Sequence, residues 1–139
     1  MIAAVADTGF IVAVLHRGDS YHQKAIAVYQ QIQQIYLPQT TLAEIAYLLH
    51  EYAGQLAMAE FLEKLPTSKL SIVSITMQDL NQTAAILRQY ADSRIDFVDA
   101  TVMAVAERLE ITTILTVDYR DFRLYRPNHC SHFTLLPEA

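Results

Sequence analysis

The feature that most constrains the fold is the alternation of short apolar runs with segments of helical periodicity. Residues 2–6 form an unbroken apolar run, which is typical of a strand buried on both faces of a parallel sheet. Strands separated by helical segments favour a sheet whose two faces are both covered by helices. The sequence therefore predicts an α/β protein, a three-layer α/β/α sandwich with a mainly parallel sheet. The other predicted strands span residues 35–37, 70–75, 111–117 and 133–135.

Helical periodicity fills most of the segments between these strands. Asp7 is predicted to cap a helix that begins at Thr8, and Ser20 to cap a second helix that extends to about residue 34. Thr76 opens a long helix, for which apolar spacing predicts an inward face made of Leu80, Ala84, Leu87 and Tyr90. The remaining predicted helices span residues 41–52, 54–65 and 96–109.

Composition narrows the class of protein. The apolar fraction of 53% and the charged fraction of 18% are typical of a compact core, and the length of 139 residues predicts a single domain over residues 1–139. The three glycines are too few for a glycine-rich phosphate-binding loop. Cys130 is the only cysteine, the opening residues lack the features of a secretory signal, and no apolar run is long enough to cross a membrane. We therefore expect a cytoplasmic protein.

The formal net charge of −5 argues against binding nucleic acid through bulk electrostatics alone. Any such binding has to be local or bridged by metal ions. One local candidate is the segment 119–126, in which Arg120, Arg123 and Arg126 alternate with aromatic residues. These three arginines are therefore candidate RNA contacts, although arginines and aromatics also pack together in ordinary loops.

Each acidic residue of interest has a simple structural explanation when it is considered alone. Asp7 has the position of a helix cap, and Glu44 has the spacing of a capping box. Asp96 and Asp99 lie in a predicted first helical turn, where the helix dipole favours negative charge. Asp118 is suited to opening a turn.

The joint placement of these residues is more informative. Asp7 and Asp118 follow predicted buried strands directly, and Glu44 and Asp99 lie in first helical turns, which face the same edge of a sheet in right-handed βαβ units. Carboxylates crowded in a cleft repel one another unless a cation lies among them. An all-oxygen site suits Mg²⁺ or Mn²⁺, and magnesium sites of this kind serve phosphodiester hydrolysis. The sequence thus predicts that Asp7, Glu44, Asp99 and Asp118 are catalytic metal ligands.

Four stretches, taken in order, resemble the motifs of the PIN domains, and within that family the VapC-like toxins of bacterial toxin–antitoxin pairs. The first is an apolar strand, an acidic residue and a helix, and the second has a glutamate early in a helix. The third and fourth resemble the family most closely, and the likeness extends over nearly the whole chain. The stretches are residues 5–15, 41–45, 96–107 and 114–122.

The resemblance implies a Rossmann-like five-stranded sheet, a homodimer, and an Mg²⁺- or Mn²⁺-dependent ribonuclease that cleaves RNA, such as tRNA or mRNA, to leave a 5′-phosphate. It also implies inhibition by a small antitoxin protein. By position, the family's metal-binding acids match Asp7, Glu44, Asp99 and Asp118, with Asp96 as an auxiliary acid. Many relatives have Ser, Thr or Asn where this chain has Gly9, from which we expect altered orientation near the first ligand without loss of activity.

Two other constellations are weaker. Residues 7–9 spell the Asp-Thr-Gly triplet of aspartic proteases, but those proteins are all-β and this triplet precedes a helical segment. His129 and His132, with Cys130 between them, have no second cluster of metal ligands at suitable spacing, so a solvated loop is favoured.

Two non-catalytic classes of protein are the alternatives. A phospho-acceptor receiver domain needs an aspartate at the end of its third strand, where this chain has Thr76 and no carboxylate until Asp79. A catalytically inactive PIN-like module that binds RNA or protein stays open as the minor alternative. The segment around Tyr47 and Leu48 and the helix from Gly54 onward suit a dimer or antitoxin surface, and an intramolecular core would explain them equally well.

Overall fold

The computed structural model describes residues 2–138 and contains one parallel sheet with the strand order β3-β2-β1-β4-β5. All four neighbouring pairs of strands are parallel, which confirms the predicted architecture. β4 is shorter than predicted, because the amide of Ile111 still donates to Ala106 at the end of the preceding helix, at 2.9 Å. The strands are β1 (Ala3–Ala6), β2 (Gln34–Pro38), β3 (Leu70–Val73), β4 (Thr113–Leu115) and β5 (Thr134–Leu136).

Helices connect the strands and cover both faces of the sheet. The predicted cap at Ser20 is wrong: the second helix begins at His22, with Tyr21 as its N-cap, and Asp19 accepts the amide of Tyr21 at 2.8 Å. The last, short helix was not predicted. The helices are α1 (Thr8–Leu15), α2 (His22–Gln31), α3 (Thr41–Ala53), α4 (Gln55–Lys64), α5 (Met77–Gln89), α6 (Phe97–Arg108) and α7 (Tyr119–Leu124), and a 3-10 turn spans Leu65–Thr67.

The side chains of β1 alternate between two hydrophobic cores. Ala4 and Ala6 face the core formed with α1 to α4, whereas Val5 faces the core formed with α5 to α7. α6 is buried along most of its length, from Ala100 to Ala106. The sheet is therefore the middle layer of an α/β/α sandwich.

The predicted inward face of α5 is partly wrong. Leu80 is 38% exposed, and the buried positions of this helix are Asp79, Thr83 and Ile86. Asp79 is tolerated inside because Arg108 of α6 pairs with it at 2.9 Å, and Thr83 donates its hydroxyl to the carbonyl of Asp79. Periodicity that counts only apolar residues misses a face built around an ion pair.

The order of the strands places a topological switch between β1 and β4. From β1 the chain moves outward through β2 to β3, and on the other side it moves from β4 to β5. Helices diverge from the carboxyl ends of two adjacent strands at such a point and leave a crevice, which is where α/β sheets bind ligands. Within residues 2–138, no helix combines the length and the apolar character needed to cross a membrane.

Candidate active site

The carboxyl ends of β1 and β4 are tied together by backbone and side-chain hydrogen bonds. The amide of Asp7 donates to the carbonyl of Leu115 at 3.0 Å, and Thr116 donates its hydroxyl to Oδ2 of Asp7. The same hydroxyl oxygen accepts the amide of Asp118 at 3.0 Å. Thr116 is fully buried and so holds two of the predicted ligands, Asp7 and Asp118, in a fixed relation.

Asp7 is at once a helix cap and a site residue. Its Oδ1 accepts the amide of Phe10 at 2.8 Å, which fixes the first turn of α1, and the residue is only 4% exposed. Hydrogen bonds from Phe10 and Thr116 therefore orient both carboxylate oxygens of Asp7. The capping explanation and the site explanation are therefore compatible, because the cap orients the carboxylate at the end of β1.

Glu44 contacts the first helix, and its side chain does not form the capping box that its spacing suggested. The hydroxyl of Thr8 donates to Oε1 of Glu44 at 2.6 Å, which links α3 to the beginning of α1. The hydroxyl of Thr41 donates to the carbonyl of Pro38, and the N-cap Thr40 makes no side-chain cap bond. The carboxylate of Glu44 is therefore turned toward the neighbourhood of Asp7.

Asp99 lies in the first turn of α6, which Asp96 caps by accepting the amide of Asp99 at 2.9 Å. A hydrogen bond of 2.6 Å between the hydroxyls of Thr40 and Thr101 joins the beginnings of α3 and α6. Both helices therefore begin at the same edge of the sheet. Asp96 is exposed, as suits an auxiliary acid that orients the helix end.

The pKa values show that the acids act on one another. Burial raises the pKa of Asp7 to about 7, and the charges of Asp118 and Glu44 add to this effect, although hydrogen bonds from Thr116 and Phe10 oppose it. Burial also raises the pKa of Asp99 to about 8, and here the added charges are Asp96, Asp7, Asp121 and Asp118. The charge of Asp7 interacts with those of Asp118, Glu44 and Asp99. The negatively charged forms of Asp7 and Asp99 are both strongly disfavoured.

The arrangement fits a divalent cation. Its donors are carboxylate oxygens, the ligands that Mg²⁺ and Mn²⁺ prefer. Burial chiefly, and neighbouring negative charges in addition, disfavour the anionic forms of Asp7 and Asp99, and a bound cation would offset both effects. In residues 2–138, no three acidic, histidine or cysteine side chains are already close enough to enclose an ion by themselves. The acids therefore do not form a closed cage by themselves, and magnesium, which keeps several waters, does not require one.

Asp121 is a further acidic residue close to this group. It is 7% exposed, and its Oδ1 has no hydrogen-bond partner among the described residues. Burial and the charge of Asp118 raise its pKa, whereas Arg120 and Arg94 act in the opposite direction. Arg94 is a cation near the acidic cleft that sequence reasoning missed, because an isolated arginine carries no motif.

The structure separates the three candidate RNA-contact arginines. Arg123 and Arg126 line an open cavity of about 620 Å³ between α7 and β5. Arg120 lines another cavity, of about 410 Å³, near the end of α5. The interleaved Phe122 and Tyr125 are each only 2% exposed and pack in the core, so they offer no surface for stacking of bases.

The histidine and cysteine loop shows no metal-binding geometry among the residues described. Nε2 of His129 bonds to the carbonyl of Ile111 at 2.8 Å, and His132 lies at the surface beside Ser131. Cys130 is a free thiol. These contacts agree with the structural explanation of the loop.

Sequence reasoning also missed the two hydroxyl residues of the site, Thr8 and Thr116. The available signal was their closeness in sequence to Asp7 and Asp118 within the first and fourth motifs. At Gly9, an added Cβ would lie 3.4 Å from Val117 and 3.9 Å from Oδ1 of Asp7, which are ordinary contacts. The backbone therefore leaves room for a larger residue, and Thr8 supplies a hydroxyl next to Gly9.

Comparisons with known proteins identify the family and the fold. The family model of the PIN domain matches residues 4–126. The chain is 32% identical over 96 residues to "Ribonuclease VapC26" of Mycobacterium tuberculosis. These aligned residues are 69% of this chain and 71% of that protein. The fold of this chain is similar to that of VapC20 of Mycobacterium tuberculosis, described as a sarcin-ricin loop cleaving toxin. The TM-score is 0.77 at 22% identity, and the match covers 84% of this chain and 90% of that one. VapBC2 from Rickettsia felis, bound to a promoter DNA fragment, gives a TM-score of 0.68 at 14% identity, with coverage of 96% and 97%.

Proposed function

Because the chain belongs to the PIN-domain family, we propose that it is an endoribonuclease that hydrolyses RNA phosphodiester bonds with the help of Mg²⁺ or Mn²⁺. In this proposal one domain spans the chain, and the catalytic ligands are Asp7, Glu44, Asp99 and Asp118. Asp96 is the auxiliary acid, because it caps the helix that carries Asp99.

One observation carries the proposal: the buried Asp7 and the half-buried Asp99 come from different elements of the fold, lie near other acids and have no basic partner among the described residues. Asp7 and Asp99 have raised pKa values, and within the described residues neither takes part in an ion pair. A protein that needed these acids only for structure would gain stability by pairing or replacing them. Their repulsion is useful if the site holds a metal ion.

Each part of the site has a chemical task. A divalent ion, when bound, supplies the positive charge that neutralises the scissile phosphate and lowers the pKa of the attacking water. Asp7 and Asp99 would hold that ion, with Glu44 and Asp118 completing or bridging the site. Thr116 keeps the carboxylate of Asp7 in one orientation, and Thr8 does the same for Glu44. The number of metal ions, one or two, is left open.

The proposal extends to the biological setting. The identity to a protein named Ribonuclease VapC26, and a fold shared with a toxin–antitoxin complex from Klebsiella pneumoniae, support a cytoplasmic toxin that a small antitoxin inhibits. α3 and α4 present exposed apolar side chains, among them Tyr47 at 63% and Leu56 at 79% exposure. Such residues suit an antitoxin or a second copy of the chain.

The proposal is tested by incubating a pool of structured RNAs with the wild-type protein and with the Asp99→Asn variant, in Mg²⁺, in Mn²⁺ and in EDTA. We expect cleavage that requires a divalent ion, leaves 5′-phosphate ends and falls at least about a hundredfold in the variant, because a metal ligand is lost. Circular dichroism checks that the variant is folded.

The Asp79→Asn variant is the matched control, because Asp79 is equally an aspartate in the first turn of a helix but lies in the α5–α6 contact. Its specific activity per folded molecule should equal that of the wild type. Wild-type cleavage by a folded Asp99→Asn protein would refute the site. If neither protein cleaves any RNA of the pool, the inactive binding module becomes the better account.

A further inference from the structure

The cavity between α7 and β5 is an open groove that begins beside the site acid Asp118. Its first residue, Tyr119, directly follows the site acid Asp118, and its other wall includes Thr134 and Leu135 of β5. The hydroxyl of Tyr119 donates to the carbonyl of Pro137 at 2.6 Å, which ties the beginning of α7 to the end of β5. The groove therefore has two walls that are fixed to each other.

Two arginines of this groove are held in place by neighbouring groups. The guanidinium of Arg123 lies over the ring of Tyr119, with its carbon 5.0 Å from the ring centroid. Nη1 of Arg126 donates to the carbonyl of Arg123 at 3.0 Å. Ordered guanidinium groups lose less conformational freedom on binding, and their planar forks match the oxygens of a phosphate.

The chemistry of the lining favours phosphate over nucleobase. Phe122 and Phe133 are 2% and 4% exposed, so their rings form the floor and are not free to stack. Glu138 also lines the groove and partly offsets the positive charge. In a chain of net charge −5, a groove with two ordered arginines beside the acids offers an anion a local attraction that most of the surface does not.

We propose that this groove binds the backbone phosphates of single-stranded RNA next to the scissile bond, through Arg123 and Arg126. The inference rests on the proposed ribonuclease function and refines it: these two arginines hold the strand, and Arg120, which lines a different cavity, is outside the groove. Because the arginines bind phosphate, the groove tolerates any base sequence and contributes affinity without selecting the target.

The test measures the binding of fluorescein-labelled oligouridylate by fluorescence anisotropy, at several salt concentrations, with Asp99→Asn as the parent protein so that no cleavage occurs. Adding Arg123→Ala and Arg126→Ala together should weaken binding about tenfold. The slope of log Kd against log salt should fall by about 1.4, since each phosphate that an arginine neutralises contributes about 0.7. Glu138→Gln should strengthen binding about twofold, because it removes a negative charge from the groove.

The matched control is Lys24→Ala with Arg88→Ala, which removes the same charge from exposed positions of α2 and α5 that do not line the groove. Equal weakening by this control would mean bulk electrostatics and would overturn the proposal. Unchanged RNA affinity in the variant that lacks both arginines would also overturn the proposal. This holds even if light scattering shows that the oligomeric state of the variant has changed. Melting curves check that all variants are folded.

The outcomes separate this inference from the proposed function. In the cleavage assay with otherwise wild-type protein, the arginine pair should raise KM and leave kcat unchanged, because the phosphates of the groove are bound equally in the ground and transition states. If the wild-type protein cleaves no RNA but the RNA binding measured by anisotropy depends on the two arginines, the ribonuclease proposal fails and the RNA-binding role of the groove is supported. If cleavage occurs with an unchanged KM in the variant, the groove proposal fails and the nuclease stands.

Discussion

The buried Asp79 contrasts with two other aspartates, the buried Asp7 and the half-buried Asp99. Asp79, at 1% exposure, is paired with Arg108 at 2.9 Å, and although burial alone would raise its pKa, the bonds from Arg108 and Thr76 bring the pKa below its usual value. Burial, and in addition the charges of neighbouring acids, raises the pKa values of Asp7 and Asp99 to about 7 and about 8. The same fold therefore neutralises one carboxylate internally, whereas no described basic side chain forms an ion pair with the other two.

This contrast distinguishes the structural role of Asp79 from the metal-binding role that we propose for Asp7 and Asp99. All three residues lie at or near the beginning of a helix, and all three take part in hydrogen bonds at that helix end. Helix capping alone therefore does not distinguish them. The presence or absence of an internal positive partner does, because an isolated buried anion destabilises a protein unless a cation compensates it.

The largest effect on stability is expected from Arg108→Met. This change keeps the volume of the aliphatic part but leaves the Asp79 carboxylate buried without its partner. The free energy of unfolding should fall by about 3 kcal/mol, measured by urea denaturation at neutral pH. Cleavage per folded molecule should be unaffected, and a stability equal to that of the wild type would remove the basis of the comparison.

Divalent metal should stabilise the other set of acids by a similar amount. At a free Mg²⁺ or Mn²⁺ concentration of about 100 times Kd, binding to the native state adds about 2.7 kcal/mol, which is roughly 5–10 °C in the thermal midpoint. The Asp99→Asn protein should show little of this shift, and the Asp79→Asn protein should retain it. A shift of the same size in all three proteins would point to a metal site elsewhere.

Acid should remove the contribution of Asp79. Its pKa in the folded state is lower than in the unfolded chain, where aspartate titrates near about 3.9, so the carboxylate stabilises the fold above that pH. The contribution is lost as the pH falls through the lowered pKa. We expect the stability curves of wild type and Asp79→Asn to converge below about pH 4, in denaturation measured from pH 2 to 7. Parallel curves over that range would contradict the assignment.

The smallest effect is expected at Gly9, which lies in the first turn of α1 next to Asp7. An added Cβ would lie no closer than 3.4 Å to any neighbouring atom. Because serine has a higher helix propensity than glycine, Gly9→Ser should stabilise the protein by about 0.5 kcal/mol. Cleavage should be retained, since the carboxylate of Asp7 is held by Thr116 and Phe10. A large loss of cleavage in Gly9→Ser would show that activity requires the space beside Asp7 to be free of a side chain.

Much of the fold could be predicted because its strands are short, apolar and separated by clear helical periods. Asp7 could be anticipated at the site because it follows β1 directly, and Asp118 because it follows the predicted strand of residues 111–117, although β4 itself ends at Leu115. The hydroxyl of Thr116 could not, because a threonine at the end of a strand has many roles and only the fold directs it to Asp7. The cation Arg94 was missed for the same reason, since its proximity to Asp121 arises from tertiary structure.

The errors have two physical causes. α5 buries Asp79 and Thr83 where an apolar face was predicted, because Arg108 lies in a different helix and periodicity within one helix cannot reveal it. α7 was not predicted because six residues are too few for a periodic signal. A contact distant in sequence therefore overrides the local pattern in α5, whereas α7 is too short to produce a pattern.

The central claim is that the uncompensated acids at the end of β1 and β4 form a cation site. It is tested most directly by growing crystals with Mn²⁺ and measuring an anomalous difference map. The account predicts a peak among the carboxylates of Asp7, Glu44, Asp99 and Asp118 in the wild type, and no peak there in Asp99→Asn crystals. A map without a peak at this cleft, at a Mn²⁺ concentration that supports cleavage, would contradict it.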